Sequence, residues 1–403
     1  MEIITIIITI ILAIITGTFT GLIPGIHINL IASFLTINTF YLLNYTTHQQ
    51  IIIFIITMGI THTFIDFIPA TLLGVPSSDT ALSLMPAQKL TLKGESYKAI
   101  QLSALGSIGG ILFVLIISPI FYLSLNYIYQ TSKIIIPYIL IISIIIPILK
   151  ENTLNKKFYA IFTILLCTAL GIFTLNTHLI TYPLLILFTG IFGTSTLIHA
   201  LNSSQNTLPK QHFNKKIKIN TQFIKAIITG GISSTICSIT PGIGNAQAAS
   251  LSSNLFKHLD SQLFITTISA INTINFTLSL LTLYIINKAR NGAIIVIKNI
   301  GTTLTINDIK FYFIIITIVS ILCYFLTLFL GKNIIKLISK INIKKLNLSI
   351  ITFLIIIIYL LTNIYGILIL IAATSLGLFA INIEIKRIHL MTVLLLPIIF
   401  NLI

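Results

Sequence analysis

The chain has 403 residues, of which 56% are hydrophobic and only 8% are charged. Soluble domains carry about a quarter charged residues, so this composition excludes a soluble enzyme and a disordered chain. The 24 Lys and Arg residues outnumber the 8 Asp and Glu residues. Because the basic residues collect in short loops, they indicate the cytoplasmic side of a multi-pass membrane protein rather than a nucleic-acid partner.

Long apolar runs follow one another along the chain. The first, 3–16, predicts a retained membrane span, and 134–149, 311–330 and 348–361 are of similar length. Strands of a membrane barrel alternate apolar and polar residues, and these runs do not. We therefore expect an all-α fold in the cytoplasmic membrane, with about 10 to 12 membrane segments.

One long basic stretch divides the chain almost in half. It predicts a first membrane repeat over 1–201, a basic cytoplasmic linker over 202–222 and a second membrane repeat over 223–403. Loops without Lys or Arg, such as 41–50, are expected outside.

Each half contains a Pro-Gly pair inside an apolar segment, Pro24-Gly25 and Pro241-Gly242. Pro removes a backbone donor and Gly relaxes the chain, so the pairs predict broken helices, although a plain kink or a loop between spans is an alternative. A second irregular segment follows each pair at nearly the same spacing. Corresponding interruptions predict two repeats with a transport site at their interface, and the different charges of equivalent loops favour an inverted arrangement.

Polar residues beside these interruptions are the candidates for binding a small organic anion, such as a carboxylate. An Arg guanidinium pairs with carboxylates, and the N-termini of broken helices offer free N–H groups. The alternatives are that the amides hold helices together and that Lys288 and Arg290 belong to a cytoplasmic loop. The substrate-binding candidates are Pro24, Gly25, His27, Asn29, Ser77, Ser78, Pro241, Gly242, Asn245, Asn272, Asn275 and Arg290.

His62, Asp66 and Asp79 are the candidates for coupling transport to an ion gradient. Ionisable groups at membrane depth commonly line a cavity or an ion path. His62 precedes Asp66 by four residues, so both side chains share one face of a helix. Structural hydrogen bonding is the alternative. The coupling ion is H⁺ or Na⁺, and no other cofactor or metal is expected.

Short patches in both halves resemble one known family. The patches 17–32, 72–95, 99–110 and 238–249 are similar to signatures of the large permease of tripartite tricarboxylate transporters, the TctA family. The ending 386–391 resembles a short archaeal-type branch. The chain departs from the family pattern where the paired asparagines are spaced, as Asn272 and Asn275, and where a second Gly-Ile-Pro-Gly is missing.

The resemblance implies import of tricarboxylates or related anions, together with a small membrane subunit and an extracytoplasmic binding protein. We therefore predict a secondary active transporter that works by alternating access in the lipid bilayer, not an enzyme. The alternatives are an ion or solute channel and a non-transporting subunit of a larger complex. Homo-oligomerisation is left open.

Overall fold

In the computed structural model, every regular secondary-structure element of the described part of the chain is a helix, which agrees with the expected fold class. Among these residues, nine helices are long and apolar enough to cross a membrane, where the sequence predicts about 10 to 12 segments. The described residues are 2–23, 31, 35, 39–74, 82, 84–177, 180, 182–201, 209–213, 217, 219–239, 245–255, 260–289, 291–300 and 304–402.

The helices are named here in chain order. They are α1 (Glu2–Leu22), α2 (Thr39–Leu42), α3 (His48–Ile65), α4 (Phe67–Leu73), α5 (Leu84–Leu92), α6 (Ser96–Leu149), α7 (Leu154–Asn176), α8 (Pro183–Phe188), a π-helix (Thr189–Thr194), α9 (Ser195–Leu201), α10 (Thr221–Ile239), α11 (Asn245–Leu255), α12 (Ser261–Ile286), α13 (Gly292–Asn299), α14 (Ile306–Ile338), α15 (Ile343–Asn382), a 3-10 helix (Arg387–Met391) and α16 (Thr392–Leu402).

Helices α3 and α4 form a central rod that is buried along almost its whole length. The rod begins at a capping box, in which Thr47 and Gln50 exchange hydrogen bonds of 3.2 and 2.9 Å. It is interrupted at Asp66. Pro69 has no N–H for the carbonyl of Ile65, and this loss of a helical bond explains why α3 ends there.

Helix α12 is the second central rod, and it is rich in Thr, Ser and Asn. Its hydroxyls donate to carbonyls one turn back, as in Thr273 to Ser269 (3.1 Å) and Thr277 to Thr273 (2.9 Å). Others bond to neighbours, as Thr267 does to the carbonyl of Ala226 on α10 (3.2 Å). Because these polar groups are satisfied within the protein, the helix is buried on nearly all sides.

Helix α15 is interrupted at Asn363, which adopts φ 60° and ψ −163°. At about 1.5 Å per residue, its 40 residues would span roughly 60 Å, which is twice the thickness of the hydrocarbon core. Both arms reach the same short helix, α9. Leu197 of α9 clusters with Ile350 of the first arm. A Cβ on Gly377 of the second arm would lie 2.6 Å from the Cβ of Ser195. Both arms of α15 therefore pack against α9.

The segment 209–213 lies against the turn between α5 and α6. The Gln211 side chain accepts a hydrogen bond from the backbone N–H of Ser96 (3.1 Å), and the N–H of His212 donates to the carbonyl of Gly94 (2.9 Å). Gly94 has φ +76°, and a Cβ there would lie 2.5 Å from the carbonyl oxygen of Lys210. This basic segment is thus fixed to the helices at one end of the molecule.

The directions of the central helices follow from their contacts. Helix α1 runs parallel to α3, since Gly17 faces Thr61 and Gly21 faces Ile65. Helix α10 likewise runs parallel to α12, since Ala226 pairs with Thr267 and Ser234 with Ile271.

The two central rods, in contrast, cross in opposite directions. Gly59 on α3 faces Phe276 on α12, while Asp66, further along the first rod, bonds to Asn272, which lies earlier on α12. The molecule is thus built around two parallel helix pairs that meet in antiparallel orientation.

Candidate functional site

The two central rods meet at Asp66 and Asn272. Asp66 occupies the interruption between α3 and α4, and Asn272 lies in the middle of α12. Only 4% of the Asp66 surface and 2% of the Asn272 surface are exposed. The Asn272 Nδ2 donates a hydrogen bond of 3.2 Å to Oδ2 of Asp66. A carboxyl group of the first half is therefore held by an amide of the second half inside the protein.

Two further asparagines extend this contact into a chain of amides. The Asn245 Nδ2 donates to Oδ1 of Asn272 at 2.8 Å, and the Asn275 Nδ2 donates to Oδ1 of Asn245 at 2.5 Å. Asn245 is 6% exposed and Asn275 is 9% exposed. The four side chains form one buried hydrogen-bonded line, which we call the amide chain. It ends on the Asp66 carboxyl group.

The local sequence explains this convergence. Asn272 and Asn275 are three residues apart, so both project from the same face of α12. Asn245 is the first residue of α11 and closely follows Pro241-Gly242. On the other side, a Cβ on Gly21 would lie 3.3 Å from the backbone nitrogen of Asp66, so α1 ends against the same place just before Pro24-Gly25. Pro241-Gly242 thus closely precedes a member of the amide chain in sequence, and Pro24-Gly25 follows a helix whose end contacts Asp66.

His62 lies one helical turn before Asp66 and is 4% exposed. Its Nδ1 is 3.1 Å from the hydroxyl oxygen of Thr20 on α1, and that hydroxyl lies 3.1 Å from the carbonyl of Gly17. A hydroxyl has one proton to donate, and the carbonyl can only accept it. When this hydroxyl donates to Gly17, it accepts a hydrogen bond from His62 in the tautomer that carries its proton on Nδ1.

A second hydroxyl contact joins α3 to α14. The Cys323 Sγ on α14 donates to the hydroxyl oxygen of Thr61 at 3.3 Å. Together with His62 and Thr20, this contact ties the first rod to both of its flanking helices.

The structure brings together Asp66, Asn245, Asn272 and Asn275, with His62 one turn away. The other predicted site residues lie outside the described part of the chain, and their roles stay predictions. They are Pro24, Gly25, His27, Asn29, Ser77, Ser78, Asp79, Pro241, Gly242 and Arg290.

Lys288 lies just beyond the end of α12, after Asn287, which has φ 52°. Its Nζ donates to the hydroxyl of Tyr129 at 2.5 Å and lies 4.9 Å from the centre of that ring. Tyr129 is on α6, far along that helix from Ser96, which contacts the basic segment 209–213. Lys288 is therefore at the opposite end of the molecule from that basic segment.

A buried contact between a histidine and a carboxyl group lies at another position, and no local sequence pattern predicts it. The Nε2 of His389 lies 2.9 Å from Oε1 of Glu151, which also accepts the backbone N–H of Lys386 at 3.1 Å. Nearby, the Arg387 guanidinium donates to the hydroxyl of Thr196 at 2.8 Å. Glu151 and His389 are 238 positions apart in the sequence. Only the fold therefore reveals that they are partners.

Within the described ranges there is no group of three or more His, Cys, Asp or Glu side chains that could hold a metal ion. The three cysteines are buried and form no disulfide bond.

Residues 7–392 match the profile of the Tripartite tricarboxylate transporter TctA family. A protein of Methanocaldococcus jannaschii named Uncharacterized protein MJ1079 is 34% identical over 330 residues, which cover 81% of this chain and 80% of the relative. No solved structure matches.

Proposed function

Since this chain belongs to the Tripartite tricarboxylate transporter TctA family, we propose that it moves a small carboxylate across the membrane by alternating access, driven by H⁺ or Na⁺. It is a multi-pass membrane protein and a permease component of this transporter type, not an enzyme. The family's tripartite systems favour a small membrane subunit and an extracytoplasmic binding protein as its partners.

The observation that carries the proposal is the buried amide chain between the two halves. A carboxyl group deep in a membrane protein is costly, and such groups commonly lie on ion pathways. Here it is joined through Asn272 and Asn245 to Asn275, so the charge state of Asp66 is linked to amides that can bind a carboxylate. We assign Asp66 to ion coupling and the asparagines to the substrate side of the same site.

The directions of the helices support two inverted repeats. In each half a helix that ends near a Pro-Gly pair, α1 or α10, runs parallel to a central rod, and the two rods cross antiparallel at Asp66 and Asn272. Transporters with inverted repeats place their substrate at the interface of the halves, near the midplane. The pseudo-twofold relation then lets one site open alternately to the two sides.

The position of Lys288 supports an approach path for an anion. The segment 209–213 and the other basic loops are expected in the cytoplasm, and Lys288 lies at the opposite end, which is then the outside. A cation at the mouth of a site raises the local concentration of an anionic substrate. This placement favours the substrate role of the 288–290 region over the cytoplasmic-loop alternative.

Uptake of radiolabelled citrate into proteoliposomes tests the proposal. The protein is reconstituted alone and with its membrane and binding-protein partners, and gradients of H⁺ and Na⁺ are imposed separately. We expect saturable uptake that one gradient stimulates and that D66N uncouples, while the same change at Asp308, in the cap of α14, leaves uptake intact. Uptake without saturation would support a channel instead. No uptake in any combination, with tri- and dicarboxylates alike, would support the non-transporting subunit.

A further inference from the structure

The amide chain has a direction, and the protonation state of Asp66 sets it. An ionised carboxylate can only accept hydrogen bonds, so Asn272 must turn its Nδ2 towards Asp66. The Oδ1 of Asn272 then faces Asn245 and accepts a hydrogen bond from its Nδ2. The Oδ1 of Asn245 in turn accepts a hydrogen bond from the Nδ2 of Asn275. Every amide thus donates towards Asp66. The orientation seen in the structure is the one that an ionised Asp66 requires.

This orientation leaves an acceptor unused at the far end of the chain. The Oδ1 of Asn275 is buried and has no hydrogen-bond partner among the described residues. A buried carbonyl oxygen without a donor is costly, so buried side-chain polar atoms are normally paired. An oxygen acceptor also repels the oxygens of a carboxylate. With Asp66 ionised, the free end of the chain is therefore unsuited to an anionic substrate.

We propose that a proton bound by Asp66 reverses the amide chain and converts its end at Asn275 from an acceptor into a donor for a substrate carboxylate. This inference rests on the proposed transport function and names H⁺ as the coupling ion. The proton comes from the outer water and forms an O–H bond on Oδ2 of Asp66, with no other reactant. The protonated group donates to Oδ1 of Asn272 once that amide has turned over.

The reversal then runs along the chain without the loss of a hydrogen bond. The Nδ2 of Asn272 then donates to Oδ1 of Asn245. The Nδ2 of Asn245 in turn donates to Oδ1 of Asn275. Each contact keeps one donor and one acceptor, so both orientations contain the same three bonds within the chain. The difference appears at Asn275, whose Oδ1 is now satisfied and whose Nδ2 is free to donate.

Coupling follows from this exchange of roles. An anion binds the donor end of the chain, which exists when Asp66 carries a proton, and by reciprocity a bound anion favours protonation. A proton and a carboxylate therefore enter and leave together, although they occupy different ends of the chain. The amides transmit the protonation state and do not themselves ionise.

Few other titratable groups face this layer of the protein. The described parts of α1, α4, α11 and α12 bring no charged side chain to it, and the buried titratable groups on the two rods and on helices that pack against them include His62 on α3, Cys237 on α10 and Cys323 on α14. His62 contacts Thr20 and Cys323 contacts Thr61. Lys98 and Tyr97 on α6 lie near its start, beside Ser96 and the basic segment.

Citrate binding to the purified protein in nanodiscs is the first test. Affinity is measured from about pH 5 to about pH 8 for wild type, D66N and the matched control D308N. Because citrate itself titrates, the readout is the ratio of affinities at each pH. We expect the D66N to wild-type ratio to rise by about tenfold per pH unit above the titration of Asp66, and the D308N ratio to stay constant. A constant D66N ratio would contradict the proposed reversal of the amide chain by protonation of Asp66, which we call the relay.

Infrared difference spectra of the ligand-free protein between the two pH limits provide a test that needs no substrate. We expect a protonated-carboxyl band to appear at low pH together with shifts of asparagine side-chain carbonyl bands. Both should vanish in D66N, and N275L should lose part of the amide shift while keeping the carboxyl band. Amide bands that do not move when the carboxyl group titrates overturn the relay.

The two measurements separate this inference from the proposed function. Citrate uptake driven by Na⁺, together with D66N to wild-type affinity ratios that do not change with pH, would support the proposed transport function and contradict the relay. Spectral coupling of Asp66 to the amides without binding of any di- or tricarboxylate leaves the relay intact as a proton-sensing device and defeats the assigned substrate class.

Discussion

The amide of Asn272 donates a hydrogen bond to the carboxyl group of Asp66 across 206 residues of sequence. This bond joins the two central rods where they cross, and both partners are buried. It connects the residue that we assign to ion coupling with the amides that we assign to the substrate. The following predictions examine this contact and the features that position it.

Replacing Asn272 with Leu should destabilise the protein, because the buried Asp66 then loses its donor from α12. The loss of a partner to a buried charged group costs about 1–3 kcal/mol or more. The double variant D66L/N272L should be more stable than the sum of the two single effects predicts, and we expect this difference to be about 1–3 kcal/mol as well. Thermal unfolding in detergent measures all four proteins. Strict additivity would show that the two side chains do not interact.

Gly59→Ala should loosen the crossing of the rods. A Cβ at this position would lie 2.0 Å from the ring of Phe276, so one of the helices must shift. Overpacking of this kind costs about 1–3 kcal/mol, and F276L should restore most of the stability by removing the ring. Gly331→Ala is the matched control, since its Cβ meets the Ile100 side chain at 2.9 Å. The interpretation fails if G331A is the more damaging change.

Lys288→Met should weaken citrate uptake at low substrate concentration. Removal of a cation near the mouth of the site reduces the attraction of an anion, and we expect KM to rise by about threefold to tenfold with little change in kcat. The effect should shrink at high salt. Lys344→Met, at the start of α15, serves as the control because Lys344 belongs to a loop assigned to the cytoplasm. An equal effect of both changes would place Lys288 outside the substrate path.

Glu151→Gln should reduce stability in a way that depends on pH. Burial on its own raises the pKa of Glu151, but hydrogen bonds from His389 and from the backbone of Lys386, together with the charges of these residues, lower it overall. A carboxyl whose pKa is lowered by folding stabilises the fold above its unfolded pKa of about 4.3, and this stabilisation is lost as the pH falls through the folded value.

Wild type should therefore be more stable than E151Q above about pH 5, and the difference should shrink at more acidic pH. Apparent melting temperatures across this range provide the measurement. Glu384→Gln is the control, because the Glu384 side chain is 82% exposed and should contribute little. A difference between wild type and E151Q that grows in acid contradicts the assigned direction.

Much of the fold could be predicted from residue patterns. Apolar runs predict helices, and the family resemblance is confirmed by the match over residues 7–392. The number of membrane segments is harder to predict, because an interruption such as Asn363 leaves few marks. A single asparagine at φ 60° inside a 40-residue helix separates its two arms. The only sequence sign of this interruption is a short polar break without Lys or Arg over 361–366, which is typical of an outside loop.

The candidate site could be predicted only in its components. Asp66, Asn245, Asn272 and Asn275 stand out as polar residues beside interruptions or on one helix face, and the sequence gives no reason to connect them in that order. The sequence predicts the amides as substrate ligands and Asp66 as an ion site, and it does not predict that hydrogen bonds join these side chains in one line. Pairings such as His62 with Thr20 depend on how helices pack, which periodicity alone does not determine.

The crossing of the two rods has a mechanical consequence. Asp66 and Asn272 lie part of the way along their helices, so the bond between them can act as a fulcrum. At about 1.5 Å per residue, a tilt of about 10° around this point would displace a helix end 14 residues away by roughly 4 Å. The ends on one side of the membrane would separate while those on the other approached. The residues at the fulcrum would barely move, so the hydrogen bond between Asp66 and Asn272 could persist throughout the conformational change.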